Sequence, residues 1–285
     1  DENFKEWPIF YENGITNNAE ADLFFNFDRT ASIGGTIWLH PTFENALVEE
    51  RETTKVIMNA DGLLAEVPKD GHDTIPHYLK SSIVTPDDWA KVKDERFRRD
   101  DPARVVDIAS LKAQHSANRD YPLGVWCGSM IGKIRDMLTF EGLAYALSDY
   151  PEMVEDMVET ACLMVEDSLD QILPHFDFEY ACGWEDICFK NGPIVSPRFF
   201  RKVVMPRYKR IHNMLMAHGV DFWWIDCDGD VRPILPAMME GGINCLFPFE
   251  VNGCAHPGEL FKQYGKDLRI MGGFDKIEMG KGPEA

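Results

Sequence analysis

Val220-Asp221-Phe222-Trp223-Trp224-Ile225, followed at once by Asp226-Cys227-Asp228-Gly229-Asp230, is the stretch on which the fold turns. A short apolar run rich in aromatic and β-branched residues, closed by an acid- and glycine-rich turn, reads as a strand that ends in a loop. The same unit recurs on both sides. Upstream stand Leu123-Gly124-Val125-Trp126-Cys127 and Phe178-Glu179-Tyr180-Ala181-Cys182-Gly183-Trp184; downstream stand Ile243-Asn244-Cys245-Leu246-Phe247 and Leu268-Arg269-Ile270-Met271. Helical periodicity fills the intervals: residues 140–172, broken by Asp149-Tyr150-Pro151-Glu152, then about 200–218, 231–240 and 257–264. Alternating strands and helices predict βαβ units and a parallel sheet. The reading is α/β, a (β/α)8 TIM barrel in preference to a doubly wound open sheet, which would place its site at the same strand ends.

The 285 residues suit one domain, since no Ser/Gly-rich or Pro-rich linker divides them. Residues 1–118 read as an irregular N-terminal part with covering elements, and residues 119–285 as the βα repeats. In the first part Ser32 to Leu39 and Lys55 to Val67 read as strands, with Asp61-Gly62 as a tight hairpin signal. Thr85-Pro86-Asp87-Asp88-Trp89 predicts a capped helix start. The chain opens without an initiator Met and stops at Gly282-Pro283-Glu284-Ala285 without a terminating helix pattern, so truncated ends are expected.

Charge narrows the partners. With 48 Asp+Glu against 29 Lys+Arg the net charge is −19, which repels nucleic acid and anionic lipid. No stretch approaches the roughly 18 consecutive apolar residues of a membrane span. Seven scattered cysteines with no CxxC pair match reduced thiols, hence a soluble, cytoplasmic protein.

The chemistry is expected at the strand ends. Asp226 and Asp228 stand two apart, so the period of a strand turns both to one side and Cys227 away. Such a pair ligates a cation, or shares a proton, or merely forms a turn and caps an amide. Glu250 arrives at the same height from the next strand and favours a functional site. One of Glu185 and Asp186 is expected to face the pocket, unless both are acids of the following turn. His256 is a candidate ligand or acid/base, although a lone loop histidine is more often neither. Trp126, Trp184, Phe222, Trp223 and Trp224 suit a flat substrate, or simply fill the core. The catalytic candidates are Asp226, Asp228, Glu185 and Asp186; the substrate-binding candidates are Trp126, Trp184, Asn191, Trp224 and His256; the metal candidates are Asp226, Asp228 and Glu250.

Several runs together, Trp184-Glu185-Asp186, Asn191 to Phe200, Pro206-Arg207-Tyr208-Lys209-Arg210, Asp226-Cys227-Asp228-Gly229, Glu240-Gly241-Gly242-Ile243-Asn244, Pro248-Phe249-Glu250 and Gly272-Gly273-Phe274-Asp275-Lys276, resemble the uroporphyrinogen decarboxylase superfamily. The resemblance covers about residues 120–276 and touches the first hundred poorly. It implies a (β/α)8 barrel, commonly a homodimer, and one of two chemistries. Cofactor-free decarboxylation of uroporphyrinogen, a step of porphyrin biosynthesis, goes with an N-terminal Arg-Gln-Ala-Gly-Arg segment that this chain lacks, and an acidic mouth repels such a polyanion. In the corrinoid-linked methyltransferases a His-x-Cys pair of zinc ligands matches Asp226 and Asp228 here, with oxygen replacing nitrogen and sulfur donors. A further Cys ligand of that branch would lie beyond Ala285. The first expectation is therefore a zinc-dependent methyltransferase that passes a methyl group from a small methylated compound to a corrinoid protein. The alternative is a metal-free decarboxylase with Arg29, Arg207 and Arg232 gathered at the pocket, and a third is a binding protein without chemistry.

Overall fold

In the computed structural model, which describes residues 3–70, 76–279 and 281, the N-terminal part forms its own small layer. Short helices α1 (Asn3–Glu6), α2 (Pro8–Tyr11) and α3 (Asn18–Phe24) precede strand β1 (Ala31–Ile33). Strands β2 (Ala46–Glu50), β3 (Thr54–Met58), β4 (Leu63–Pro68) and β5 (His77–Ser81) then pair in chain order as an antiparallel sheet. The turn between β3 and β4 needs Gly62: its φ is +82°, and a Cβ there would lie 2.7 Å from the Phe43 ring. Helix α4 (Pro86–Arg96) begins as its sequence predicts, with a capping box in which Thr85 and Asp88 bond each other's backbone N–H. It is followed by α5 (Ile108–Gln114).

The second part alternates. β6 (Leu123–Trp126) is followed by α6 (Gly132–Leu138), α7 (Phe140–Asp149) and the long α8 (Pro151–Ile172). β7 (Tyr180–Trp184) leads to a two-residue hairpin pair, β8 (Cys188–Phe189) and β9 (Gly192–Pro193). Next come α9 (Pro197–Phe199), a π-helical turn at Phe200–Val204 and α10 (Met205–Ala217). β10 (Trp223–Asp226), α11 (Leu235–Gly241), β11 (Cys245–Phe249), α12 (Pro257–Tyr264) and β12 (Arg269–Gly272) complete the pattern.

The parallel sheet has six strands in the order β1-β6-β7-β10-β11-β12. That order runs along the chain without reversal, so the switch point of a doubly wound sheet is missing. The expected closed eight-stranded barrel is not found either: among the described residues β1 and β12 are edges and do not pair with each other. The first third explains the shortfall. Of its strand-forming residues from 46 to 81, those of β2, β3 and β4 follow one another through short described turns, which favour antiparallel pairing, and only Ala31–Ile33 enters the parallel sheet. The expected chain end, residues 282–285, lies outside the described residues.

One continuous apolar cluster joins both parts, from Trp89, Val92 and Phe97 of the covering layer to Val125, Val158, Val165, Ile225 and Leu246. Polar ties reinforce it. Trp89 donates to Asp156 of α8 at 2.7 Å, and Ser81 donates to the Met137 carbonyl at 2.8 Å. α8 and α10 are stitched on their outer faces by Arg207 to Glu155 and Glu159, and by Arg210 to Glu159 and Glu166. Among the described residues no helix is long and apolar enough to cross a membrane.

Candidate functional site

The registers of β7, β10 and β11 place Trp184, Asp226 and Phe247 side by side at the carboxyl end of the sheet. Two residues back on β10, Trp224 shares their face, where it lies against Tyr180 (6.4 Å between ring centres) and Phe247 (5.1 Å). Trp223 and Ile225 point to the helix-covered side and are buried. Strand alternation thus splits the aromatic run: Trp224 belongs to the candidate pocket face, whereas Trp223 is core and packs edge-on to Tyr208.

Asp226, the last residue of β10, feels the charge of Asp228 two positions on, and Cys227 between them is buried. The Asp226 carboxyl is pushed up to about 6, first by burial, then by the charges of Asp228 and Asp186. Asp228 reaches water with much of its side chain, yet its carboxyl is also raised, by partial burial, then by Glu250 and Asp186, against a smaller opposite pull from Lys276. Glu250 behaves differently. Its Oε1 is ion-paired with Lys276 Nζ at 2.5 Å, its Oε2 accepts from the Gly229 amide at 3.2 Å, and the Lys276 contact is the main cause of its lowered pKa. As folded, both Glu250 oxygens are engaged, and among the described residues no three His, Cys, Asp or Glu side chains are arranged to hold a metal ion. Two aspartates alone fall short of the three protein ligands of a catalytic zinc, so the expected Asp226, Asp228 and Glu250 set does not fit that metal in this conformation.

Glu185 and Asp186 part company. Glu185 is fully buried, away from any open pocket, with its carboxylate held by the amides of Met130 (2.6 Å), Ile131 (2.8 Å) and Gly132 (2.7 Å), by Ser129 Oγ (3.2 Å) and by the Tyr208 hydroxyl. Burial drives its pKa up while those donors pull it down. Asp186 instead faces a cleft of about 560 Å³ lined by Tyr78, Arg135, Asp136, Thr139, Phe140 and Phe189. Its backbone is left-handed (φ +46°), and Arg135 donates to both its carbonyl and its carboxylate.

Trp126 and Trp184 line a second cavity of about 350 Å³ with Ile37, Trp38, Lys133 and Asp136. The other substrate-binding candidates are elsewhere. Asn191 is exposed in the turn between β8 and β9, whose geometry leaves its side chain in solvent. His256 is exposed and serves as the N-cap of α12, its Nδ1 accepting from the Gly258 amide at 3.1 Å. The three arginines of the decarboxylase alternative do not gather. Arg29 lies over the Tyr121 ring, Arg207 is bound to glutamates of α8, and Arg232 is paired with Asp230 at 2.8 Å. Arg207 and Arg232 are paired with acids and Arg29 lies on a ring, so these three do not form one anion-binding cluster. Sequence reasoning missed Tyr208 and Arg135; Tyr208 sits in the quoted Pro206-Arg207-Tyr208 run, but nothing local marks a hydroxyl that meets a carboxylate 23 residues away.

No family model matches the chain, and no curated protein does. Among solved structures, a methyltransferase from Methanosarcina mazei aligns with a TM-score of 0.42 at 15% identity, over 70% of this chain and 56% of that one. A likeness at that level bears on neither mechanism nor substrate.

Proposed function

We propose that this chain is an enzyme in which Asp226 acts as a general acid, demethylating a small methylated compound held beside the tryptophans of the pocket face. The observation that carries the reading is the Asp226 carboxyl, half-buried between Trp184 and Phe247 and raised to about 6 by burial and two neighbouring acids. A carboxyl poised there holds a proton in a useful fraction of molecules near neutral pH, which a free aspartic acid does not. When the bond between the methyl carbon and its heteroatom breaks, the electron pair stays on the heteroatom, and the Asp226 proton neutralises it. Asp228 and Asp186 keep that proton on Asp226 until it is needed. The engaged Glu250 argues against a zinc ion in this resting arrangement, and the proposed proton transfer runs without one.

The corrinoid protein as methyl acceptor and the homodimer belong to the same reading and come from the motif resemblance. The decarboxylase alternative has lost its arginine cluster and has no observation in its favour. Incubating the protein with a panel of methyl ethers, thioethers and amines and a reduced corrinoid tests the proposal through the absorbance change on corrinoid methylation. Native protein should methylate the corrinoid with at least one donor, and Asp226→Asn should lower that rate by about 10²-fold or more. Equal rates in the two proteins sink the role of Asp226.

A further inference from the structure

Glu185 is the one acid in the described core with no exposure, and its environment is built for a carboxylate: three successive backbone amides at the start of α6, a serine and a tyrosine. Full burial of a carboxylate is costly unless every lone pair is met, and here five donors meet them. The consequence lies in what the chain does on either side. The amides of Glu185 and Asp186 both donate to the Asp226 carbonyl, at 2.8 and 3.2 Å, so the loop after β7 is pinned to the end of β10. The side chain of Glu185 reaches the opposite way, to the start of α6. From the middle of α6, Arg135 returns to the carbonyl and carboxylate of Asp186.

These bonds close a ring: strand end, buried carboxylate, helix start, guanidinium and Asp186. The residue enclosed, Asp186, has a left-handed backbone, a conformation that is costly for a non-glycine residue and persists when its surroundings over-determine it. The ring fixes the backbone of Asp186 against the Asp226 carbonyl and its carboxylate against Arg135. We infer that Glu185, with Tyr208 and Arg135, is a positioning residue that aims the Asp186 carboxylate at Asp226. The inference rests on the acid role of Asp226 proposed above. Glu185 itself touches no open cavity and is not a catalytic residue.

Amide hydrogen exchange and carbon-13 carboxyl resonances of the aspartate-labelled full chain test this in Tyr208→Phe and Glu185→Gln. In Tyr208→Phe the amides of Glu185 and Asp186 should exchange about tenfold faster or more, with those of Val125 and Ala181 unchanged, and the Asp186 carboxyl resonance should move. Glu185→Gln should give the same pattern, more strongly. Uniform acceleration across the sheet with the Asp186 resonance unmoved would mean that the ring only stabilises the fold, and so overturns the inference, as does no change at all. Should Glu185→Gln fail to fold, Tyr208→Phe decides alone, since it keeps the carboxylate and its four remaining donors. These signals do not depend on turnover, so a failure of the acid role, seen as an unchanged rate in Asp226→Asn, is read separately.

Discussion

Replacing Asp226 by asparagine should make the protein more stable, and only above a particular pH. In the unfolded chain this carboxyl titrates near its ordinary 3.8, and in the folded chain near about 6. Between those values the folded form holds a proton that the unfolded form has lost. The raised pKa therefore contributes stability that is fully present below 3.8 and is lost as pH rises through about 6. Asparagine never ionises, so the advantage of Asp226→Asn should be absent in acid, grow across that window and level off above it. The difference between 3.8 and about 6 corresponds to roughly 3 kcal/mol at most, and because the carboxyl is only partly buried, screening reduces this to about 1 kcal/mol. For a chain of this size that is a rise in melting temperature of about 2–4 °C. Thermal denaturation followed by circular dichroism, at intervals from about pH 4 to pH 8, measures it. A variant that melts no higher than the native chain at the alkaline end, or whose advantage is the same at every pH, refutes the placement of Asp226 among repelling acids.

Three further outcomes are expected. Lys276→Ala frees one Glu250 oxygen, so zinc should bind tighter than to the native chain in calorimetric titration; equal affinity means that Lys276 does not guard that carboxylate. Gly132→Ala sets a Cβ about 2.0 Å from the Glu185 carbonyl oxygen, a backbone atom that cannot yield cheaply, and should destabilise the fold by about 2 kcal/mol or more in urea unfolding. Burial raises the thiols of Cys127 and Cys162, the latter to about 12, so native protein should react slowly with a disulfide reagent, with the half-exposed Cys254 reacting first; rapid modification of Cys127 contradicts the packing around it.

The strands of the second part were legible because each is a short apolar run stopped by glycine or acid. Leu123–Trp126, Tyr180–Trp184, Cys245–Phe249 and Arg269–Gly272 fall within two residues of the runs read from sequence. β10 starts later than its run, at Trp223, because the Val220 amide bonds the Leu215 carbonyl and finishes the preceding helix. Sheet closure was not legible, since pairing of the first strand with the last is a contact over more than two hundred residues and leaves no local pattern. The site divides in the same way. The charge of Asp228 acting on Asp226 follows from their spacing of two, a local matter. The separate fates of Glu185 and Asp186 depended on donors more than fifty residues away, and Glu250 was committed to a lysine 26 positions further on. His256 misled because histidine is an uncommon N-cap, so its place just before the helix read at 257–264 did not mark it as the cap.

The arginine and glutamate pairs that stitch α8 to α10 give this strongly acidic molecule two opposed responses to ionic strength. Added salt weakens that outer lattice, but it also relieves the mutual repulsion of the aspartates at the mouth of the sheet. A protein of net charge −19 is ordinarily hardened by electrolyte; in this one the two ends of the strand-helix unit pull the melting curve in contrary directions, and the outer layer would loosen first in brine while the mouth relaxes.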